Sequence, residues 1–325
     1  MSGQSAPAVP LVGGLRLIGI SALAMTAFAA NSVLCRLALV PGADGTPGID
    51  AASFTAIRTV SGALVLAIVV LLRERALPAR GQDGPLSILI GQNGRPARRD
   101  LRAAAALFAY MAFFSLGYLG LAAGTGALVL FGAVQVTMLS VAVATGEHFG
   151  RLGWAGFLAA LIGLVWLVSP GVTAPDPLAA GSMALAGIAW GLFSLWGRGA
   201  GEPVGAMTRA FLLSVPAALL FLAGHAAVAG LVADLRGVLL AVASGAVASG
   251  LGYVAWYAVL PALGAGRAAT VQLSVPVLAA IAGVLLLSEP LTLRLLGATA
   301  LVLGGVLAVL QAKARLTAAS APAAR

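Results

Sequence analysis

Two long stretches of the chain, residues 103–145 and 237–287, contain one charged residue between them, Arg267. A helix rises about 1.5 Å per residue, so each stretch would form a helix roughly twice as long as the ~30 Å hydrocarbon core of a bilayer. We therefore expect each stretch to double back within one membrane. Glycines at 117–126 mark the first turn, and residues 261–267 mark the second. Paired hairpins of this kind predict an all-α, polytopic membrane protein.

The composition agrees with a membrane protein and argues against a nucleic-acid partner. Hydrophobic residues make up 61% and charged residues 9% of the chain, against about 45–50% and 25% in soluble domains. The net charge of +9 is concentrated, because seven arginines lie within residues 73–102 with little aromatic interleaving. Such a cluster indicates topology rather than a nucleic-acid surface. We predict the lipid bilayer as a partner and no nucleic acid.

Residue types that carry catalysis or bind metals are scarce. Cys35 is the only cysteine, and His148 and His225 are the only histidines. No HExxH, GxSxG or GxGxxG pattern occurs in the sequence. A membrane enzyme, the alternative class, would need clustered acid–base or metal-binding residues, so we predict no enzyme, metal or cofactor. The first sixteen residues lack a basic segment before a short apolar core, which predicts that the first apolar run is not cleaved.

A window of about 20 residues, the length that crosses a bilayer, finds ten candidate membrane spans. They are approximately 15–38, 51–72, 102–121, 124–145, 152–169, 179–197, 204–223, 236–259, 268–287 and 293–311.

The charges of the loops predict the orientation of these spans. If the amino terminus and the even-numbered loops share a side, that side holds most of the arginines, including those at 73–102. The opposite loops hold only Arg236 and Arg294 as basic residues. The positive-inside rule then places both termini in the cytoplasm, with the spans in the inner membrane. Residues 73–101 become a long cytoplasmic loop, whose role the sequence leaves open.

The two halves of the chain, residues 1–170 and 171–325, show signs of an internal repeat. Glu147 ends the fourth span and Glu289 ends the ninth. Five spans per half is an odd number, so two copies would have opposite orientations, as in many transporters. A duplicated structural bundle without transport is the alternative. Further paired positions are Gly124 with Gly266, Ala127 with Ala269 and Gly163 with Gly305.

Three segments resemble the drug/metabolite transporter superfamily in its EamA-type branch. They are Gly-Glu at 146–147, Ser-Glu-Pro at 288–290 and the glycine-rich segment 122–135. The resemblance covers residues 15–311, and the long loop at 73–101 departs from it. It implies export of amino acids and other small metabolites, through a cavity lined by spans one to four and six to nine. It also implies that spans five and ten are peripheral braces.

Arg58 is the first candidate for substrate binding. It lies about 12 Å below the outer end of the second span. An arginine at the centre of a span costs about 2.5–3.5 kcal/mol on insertion scales, so it normally faces a polar cavity or a partner. One interpretation is that its guanidinium binds a substrate carboxylate. The other is a structural arginine that bonds carbonyl groups of a neighbouring helix.

Amide and aromatic side chains within the spans are the other cavity candidates. A buried amide without a partner is costly, so each should bond across helices or to a ligand. Aromatic rings recurring every three or four residues lie on one helix face and could wall a cavity, although packing explains such stripes as well. The amides are Asn31, Gln135 and Gln272; the aromatic residues are Tyr110, Phe114, Tyr118, Trp190, Tyr253, Trp256 and Tyr257.

Two further features concern helix geometry. Pro276 removes a backbone hydrogen bond inside the ninth span, which predicts a kink and a candidate hinge. Gly156 and Gly163 in the fifth span form a small-residue face that predicts close helix packing.

These features together predict an alternating-access transporter with a central cavity between two inverted halves. Its substrate is expected to be a small amphipathic metabolite, with amino acids as the leading class. No carboxylate lies deep in a span, so the alternatives for energy coupling are none or one through Glu147 or Glu289. A multidrug exporter and a membrane scaffold or sensor without flux are the other functional alternatives. A homodimer is compatible with the sequence but not specified by it.

Overall fold

The computed structural model describes residues 11–41, 48–76, 96–146, 150–171, 174–197 and 202–320. Across these residues the chain is helical apart from its connections, and an antiparallel bridge joins Ile49 to Ala233. Ten helices are long and apolar enough to cross a membrane. They are α1 (Leu11–Leu39), α2 (Ala51–Ala76), α3 (Arg98–Gly120), α4 (Ala123–Ala144), α5 (Arg151–Val168), α6 (Pro177–Trp196), α7 (Pro203–Ala229), α8 (Leu235–Gly264), α9 (Arg267–Leu287) and α10 (Leu293–Ser320).

The ten predicted spans and both predicted hairpin breaks are confirmed. The first break falls between Gly120 and Ala123, where the chain turns from α3 into α4. The second falls at Gly264, whose φ of 68° lies in the left-handed region that glycine adopts without a Cβ penalty. Glu147, His148 and most of the loop at 73–101 lie outside the described residues. We call the membrane side where α1 begins the N-terminal face and the other side the opposite face.

A π-helical segment, Ala243–Leu251, interrupts α8. Its i→i+5 bonding widens the helix, a geometry frequent at functional sites. Gly245 within it packs so closely on α2 that an added Cβ would overlap the Arg58 carbonyl oxygen and the Ser61 hydroxyl. This close contact of α8 is thus directed at the α2 backbone beside Arg58.

Helices α5 and α10 pack side by side along the outside of the bundle. A Cβ on Gly156 would lie 2.5 Å from the Gly305 carbonyl oxygen, and one on Gly163 would lie 2.8 Å from the Leu301 side chain. Glycine therefore allows the two backbones to approach closely, as the sequence predicts. The other eight helices pair across the halves: α1 with α8 and α9, α6 with α3 and α4, α2 with α7 and α8, and α4 with α9.

Candidate transport chamber

Two adjoining cavities lie among the helices that pair across the halves. The wider one, of about 400 Å³, reaches the N-terminal face, where Arg99 at the start of α3 and Pro203 at the start of α7 line it. The narrower one, of about 30 Å³, lies deeper. Five residues line both cavities, so we treat the two as one chamber with a mouth and an inner end. The shared residues are Phe28, Val134, Trp190, Tyr253 and Gln272.

Aromatic rings from both halves form the wall between the mouth and the inner end. The rings of Trp190 and Tyr253 stack with centroids 5.6 Å apart and planes 18° apart. Tyr110 contacts Trp190 at 4.8 Å, and Phe28 contacts Tyr253 at 5.3 Å. Offset and tilted ring pairs at these distances are mutually stabilising. The wall is therefore a packed aromatic surface assembled from α1, α3, α6 and α8.

The inner end contains a polar network centred on Asn31. Its amide oxygen accepts hydrogen bonds from the Ser244 hydroxyl at 2.8 Å and the Ser249 hydroxyl at 3.3 Å. In an α-helix, residues five apart point about 140° away from each other, so these serines would not reach one amide. The π-helical segment of α8 brings them to the same side. Sequence reasoning missed this network because its helix periodicity assumed α-helix throughout.

Arg58 lies fully buried behind the inner end. It donates to the Tyr110 phenol oxygen at 3.0 Å and to the Ser249 hydroxyl at 3.4 Å. Its guanidinium carbon also lies 4.7 Å from the Phe114 ring centroid and 5.3 Å from that of Tyr110, which are cation–π distances. Its Nε and Nη1 atoms have no hydrogen-bond partner among the described residues.

Most of the residues predicted to line a cavity do line this chamber. Three others do not appear in the lining: Arg58 and Tyr118 are fully buried, and Gln135 is nearly so. Tyr118 donates instead to the Ala123 carbonyl oxygen at 3.2 Å. A role in substrate binding stays a prediction for all of them. The lining residues are Asn31, Tyr110, Phe114, Trp190, Tyr253, Trp256, Tyr257 and Gln272.

Pro276 coincides with a break in α9. The helix is interrupted at Leu273, three residues before the proline. Proline has no N–H, so the carbonyl of Gln272 loses its α-helical partner, and the pyrrolidine ring clashes with that same turn. The predicted site of the kink therefore coincides with an interruption of the helix beside the chamber lining. Its action as a hinge stays a prediction.

A cluster of polar contacts holds the two halves together at the opposite face. The Glu289 carboxylate accepts from the Ala123 backbone N–H at 2.8 and 3.0 Å, and lies 3.6 Å from Arg36 Nε. Arg36 also donates to the Tyr118 carbonyl oxygen at 2.9 Å. Burial raises the pKa of Glu289 above its ordinary value, although the Ala123 amide and Arg36 oppose that shift. We call this cluster the Arg36–Glu289 clasp.

A second link joins the halves at the same face. The Asp50 backbone N–H donates to the Val232 carbonyl oxygen at 2.8 Å, and the Val232 N–H donates to the Asp50 carboxylate at 3.0 Å. Burial raises the pKa of the Asp50 carboxyl, but the amides of Ser53 and Val232, the Ser53 hydroxyl and His225 together outweigh it, so the pKa lies below its ordinary value. The chamber thus opens toward the N-terminal face, and two links between the halves close it at the opposite face.

Comparison with known proteins identifies the chain. A model of the EamA-like transporter family matches residues 178–311. A protein of Pseudomonas aeruginosa described as "Uncharacterized protein PA1977" is 50% identical over 296 residues, which cover 91% of this chain and 94% of that protein. The chain belongs to the EamA-like transporter family. Membership of this family confirms the resemblance found in the sequence. The protein is accordingly a multi-pass membrane transporter of the drug/metabolite type.

A solved structure supports the fold of this EamA-like protein. It is described as "Crystal structure of protein", and it aligns with 91% of this chain and 99% of that chain, at a TM-score of 0.61 and 20% identity. At that identity the likeness concerns the fold alone. In the described part of the chain, no group of three or more His, Cys, Asp or Glu side chains could hold a metal ion.

Proposed function

We propose that this protein exports small amphipathic metabolites across the inner membrane by alternating access, with amino acids as the first class to test. The chamber carries this proposal, because its wall combines helices from both halves and it is open at one face and closed at the other. Many transporters place the substrate between two halves in this way.

The transport cycle requires the closed links to break when the mouth closes. In the described conformation, substrate would enter from the N-terminal face and contact the aromatic wall. Rocking of the halves would then separate the Arg36–Glu289 clasp and the Asp50–Val232 link. The inverted repeat is part of this proposal, and the exchange of helix partners between the halves supports it. The loop charges support a cytoplasmic N-terminal face, which makes the described conformation inward-open.

Transport assays with a blocked chamber test this function. Purified protein is reconstituted into liposomes that are loaded with radiolabelled amino acids. The efflux of label is then compared for the wild type, Ala206→Trp and Ala223→Trp. Ala206 lines the mouth on α7, whereas Ala223 lies on the exposed surface of the same helix. We expect Ala206→Trp to reduce flux at least tenfold and Ala223→Trp to preserve it.

The remaining functional alternatives are outcomes of an extended assay. Wild-type flux of cationic drugs but not of metabolites would favour a multidrug exporter. An absence of flux across amino acids, drugs and sugars would favour a scaffold or sensor. Equal flux through wild type and Ala206→Trp would reject the chamber as the transport route.

A further inference from the structure

We propose that the inner end of the chamber is a carboxylate-binding subsite, and that the transported class is small organic carboxylates with a flat apolar body, for which an amino group is not required. This inference rests on the proposed transport function and narrows its substrate class. Four features of the described residues support it: a fixed amide, a fixed phenol, an unneutralised arginine and the distribution of carboxylates.

The Asn31 side chain presents hydrogen-bond donors to the chamber. Its oxygen is occupied by the hydroxyls of Ser244 and Ser249. The Ser249 hydroxyl already accepts from Arg58, so its own proton is directed to the Asn31 side chain, which favours the orientation with the amide oxygen toward the serines. The amide nitrogen donates to no described residue, and Asn31 lines the inner end. A ligand there meets N–H groups rather than the carbonyl oxygen.

Tyr110 is held in a similar way. Its phenol oxygen accepts a hydrogen bond from Arg58 at 3.0 Å, and its O–H donates to no described residue. A hydroxyl that accepts from an arginine retains its own proton for donation. Because Tyr110 lines the inner end, that donor is available to a ligand. Arg58 therefore acts as a positioning residue, through Tyr110, without itself lining the chamber.

Arg58 also makes the inner end electropositive. No salt bridge joins it to a described carboxylate, and two of its three nitrogens have no hydrogen-bond partner within the described chain. A buried charge is costly unless an opposite charge lies nearby. A bound anion at the inner end would supply that charge, and its oxygens would accept from Asn31 and Tyr110.

Six carboxylates whose side chains the structure describes are engaged at helix starts, away from the inner end, and one of them, Asp100, lines the mouth. Each accepts at least one hydrogen bond from a backbone N–H there. An ammonium group entering the chamber therefore finds no described carboxylate at its inner end, and only the flat wall of Trp190 and Tyr253 remains for the ligand body. These carboxylates are Asp50, Asp100, Asp176, Glu202, Asp234 and Glu289.

Three ligands that carry a phenyl ring on a two-carbon chain, with a carboxylate, an ammonium group or both, test the inference: 3-phenylpropanoate, 2-phenylethylamine and phenylalanine. Their dissociation constants are measured by calorimetry on the full chain in nanodiscs. We expect the two carboxylates to bind within about fivefold of each other and the amine to bind at least tenfold more weakly. Equal or tighter binding of the amine overturns the inference, and so does a failure of both carboxylates to bind.

Substitutions at the inner end test which groups recognise the carboxylate. A hydrogen bond to a charged ligand is worth about ten- to hundredfold in affinity, so Tyr110→Phe and Asn31→Leu should each weaken 3-phenylpropanoate binding by that factor. Asn31→Asp should reverse the preference in favour of the amine. Thr145→Asp adds the same charge at the exposed end of α4 and should change neither affinity. Unchanged carboxylate affinity in folded Asn31→Leu and Tyr110→Phe proteins contradicts the subsite.

The flux assay separates this inference from the proposed function. If Ala206→Trp blocks flux while the amine is the preferred ligand, transport stands and the carboxylate class fails. If Ala206→Trp leaves flux unchanged while the inner-end variants weaken carboxylate binding, the subsite stands and the transport route fails.

Discussion

At the scale of single residues, Arg58 is a buried charge that costs stability, and the proposed carboxylate subsite gives it a role. Removing a guanidinium from water costs several kcal/mol in real proteins, and hydrogen bonds recover part of that only when every N–H is used. Here the rings of Phe114 and Tyr110 contribute cation–π attraction, while Nε and Nη1 contribute no hydrogen bond to the described chain. The native fold therefore holds this side chain without full compensation.

We predict that Arg58→Met leaves the thermal unfolding midpoint in detergent unchanged or higher, because an apolar side chain of similar shape removes the uncompensated charge. The same variant should weaken 3-phenylpropanoate binding at least tenfold. Arg209→Met is the matched control: it removes a guanidinium that lies 3.6 Å from Asp100 and leaves that buried carboxylate without its salt bridge. The control should lower the midpoint. A large loss of stability in Arg58→Met would contradict this account.

Sequence reasoning at this scale found the unusual side chains but not their partners. The sequence alone shows that the apolar spans contain an arginine, three amides and a set of aromatic residues among mostly aliphatic side chains. Their partners come from other helices: Ser249 of α8 lies 191 residues from Arg58 and shares a hydrogen bond with it. Helix periodicity carries no information about such pairs, so the location of Arg58 behind Tyr110 could not be predicted.

At the scale of helices, the sequence predicts where each helix begins and ends. It does not predict where a helix departs from regular α-helical geometry. Glycine and proline positions place the hairpin turns within a few residues, because a bilayer fixes span length. Pro276 likewise predicts the break in α9. The π-helical segment of α8 has no comparable signal, since it consists mostly of small residues like those of the other spans. It packs against α2, where Gly245 contacts the Arg58 backbone.

The Arg36–Glu289 clasp is the helix-level element that we expect to control opening at the opposite face. Glu289→Ala removes the acceptor for the Ala123 amide and the partner of Arg36, so it should increase the open population. Spin labels at Leu119 and Leu291, both exposed, in a Cys35→Ala background report that population by pulsed electron resonance distances. Glu289→Gln retains an acceptor and should stay largely closed. Equal distance distributions in wild type and Glu289→Ala would reject the clasp.

The clasp also predicts a pH dependence with a defined sign. Burial raises the pKa of Glu289 in the closed form, whereas a solvated carboxyl in the open form titrates near its ordinary value of about 4.3. The closed form therefore binds the proton more tightly, and by linkage it is favoured at low pH and loses stability as pH rises through the raised pKa. The open fraction should increase above about pH 4. Glu289→Gln should abolish that dependence.

At the scale of the whole molecule, the apolar spans define the fold and the loops define its orientation. Ten crossings place the two ends of the chain on the same side of the membrane, whichever side that is. What the sequence could not provide is the conformational state. Which face is closed depends on contacts between short loops, such as the Asp50–Val232 link, whose residues have no distinguishing pattern.

Orientation is testable with reporter fusions along the full chain. The loop arginines predict the N-terminal face in the cytoplasm, so alkaline phosphatase should be inactive after α10 and after α6, and active in the loops that follow α5 and α7. Green fluorescent protein, which fluoresces in the cytoplasm, should give the complementary pattern at the same sites. An active phosphatase at the carboxyl end would reverse the orientation. The described conformation would then be open to the outside, and the Arg36–Glu289 clasp would close the cytoplasmic face.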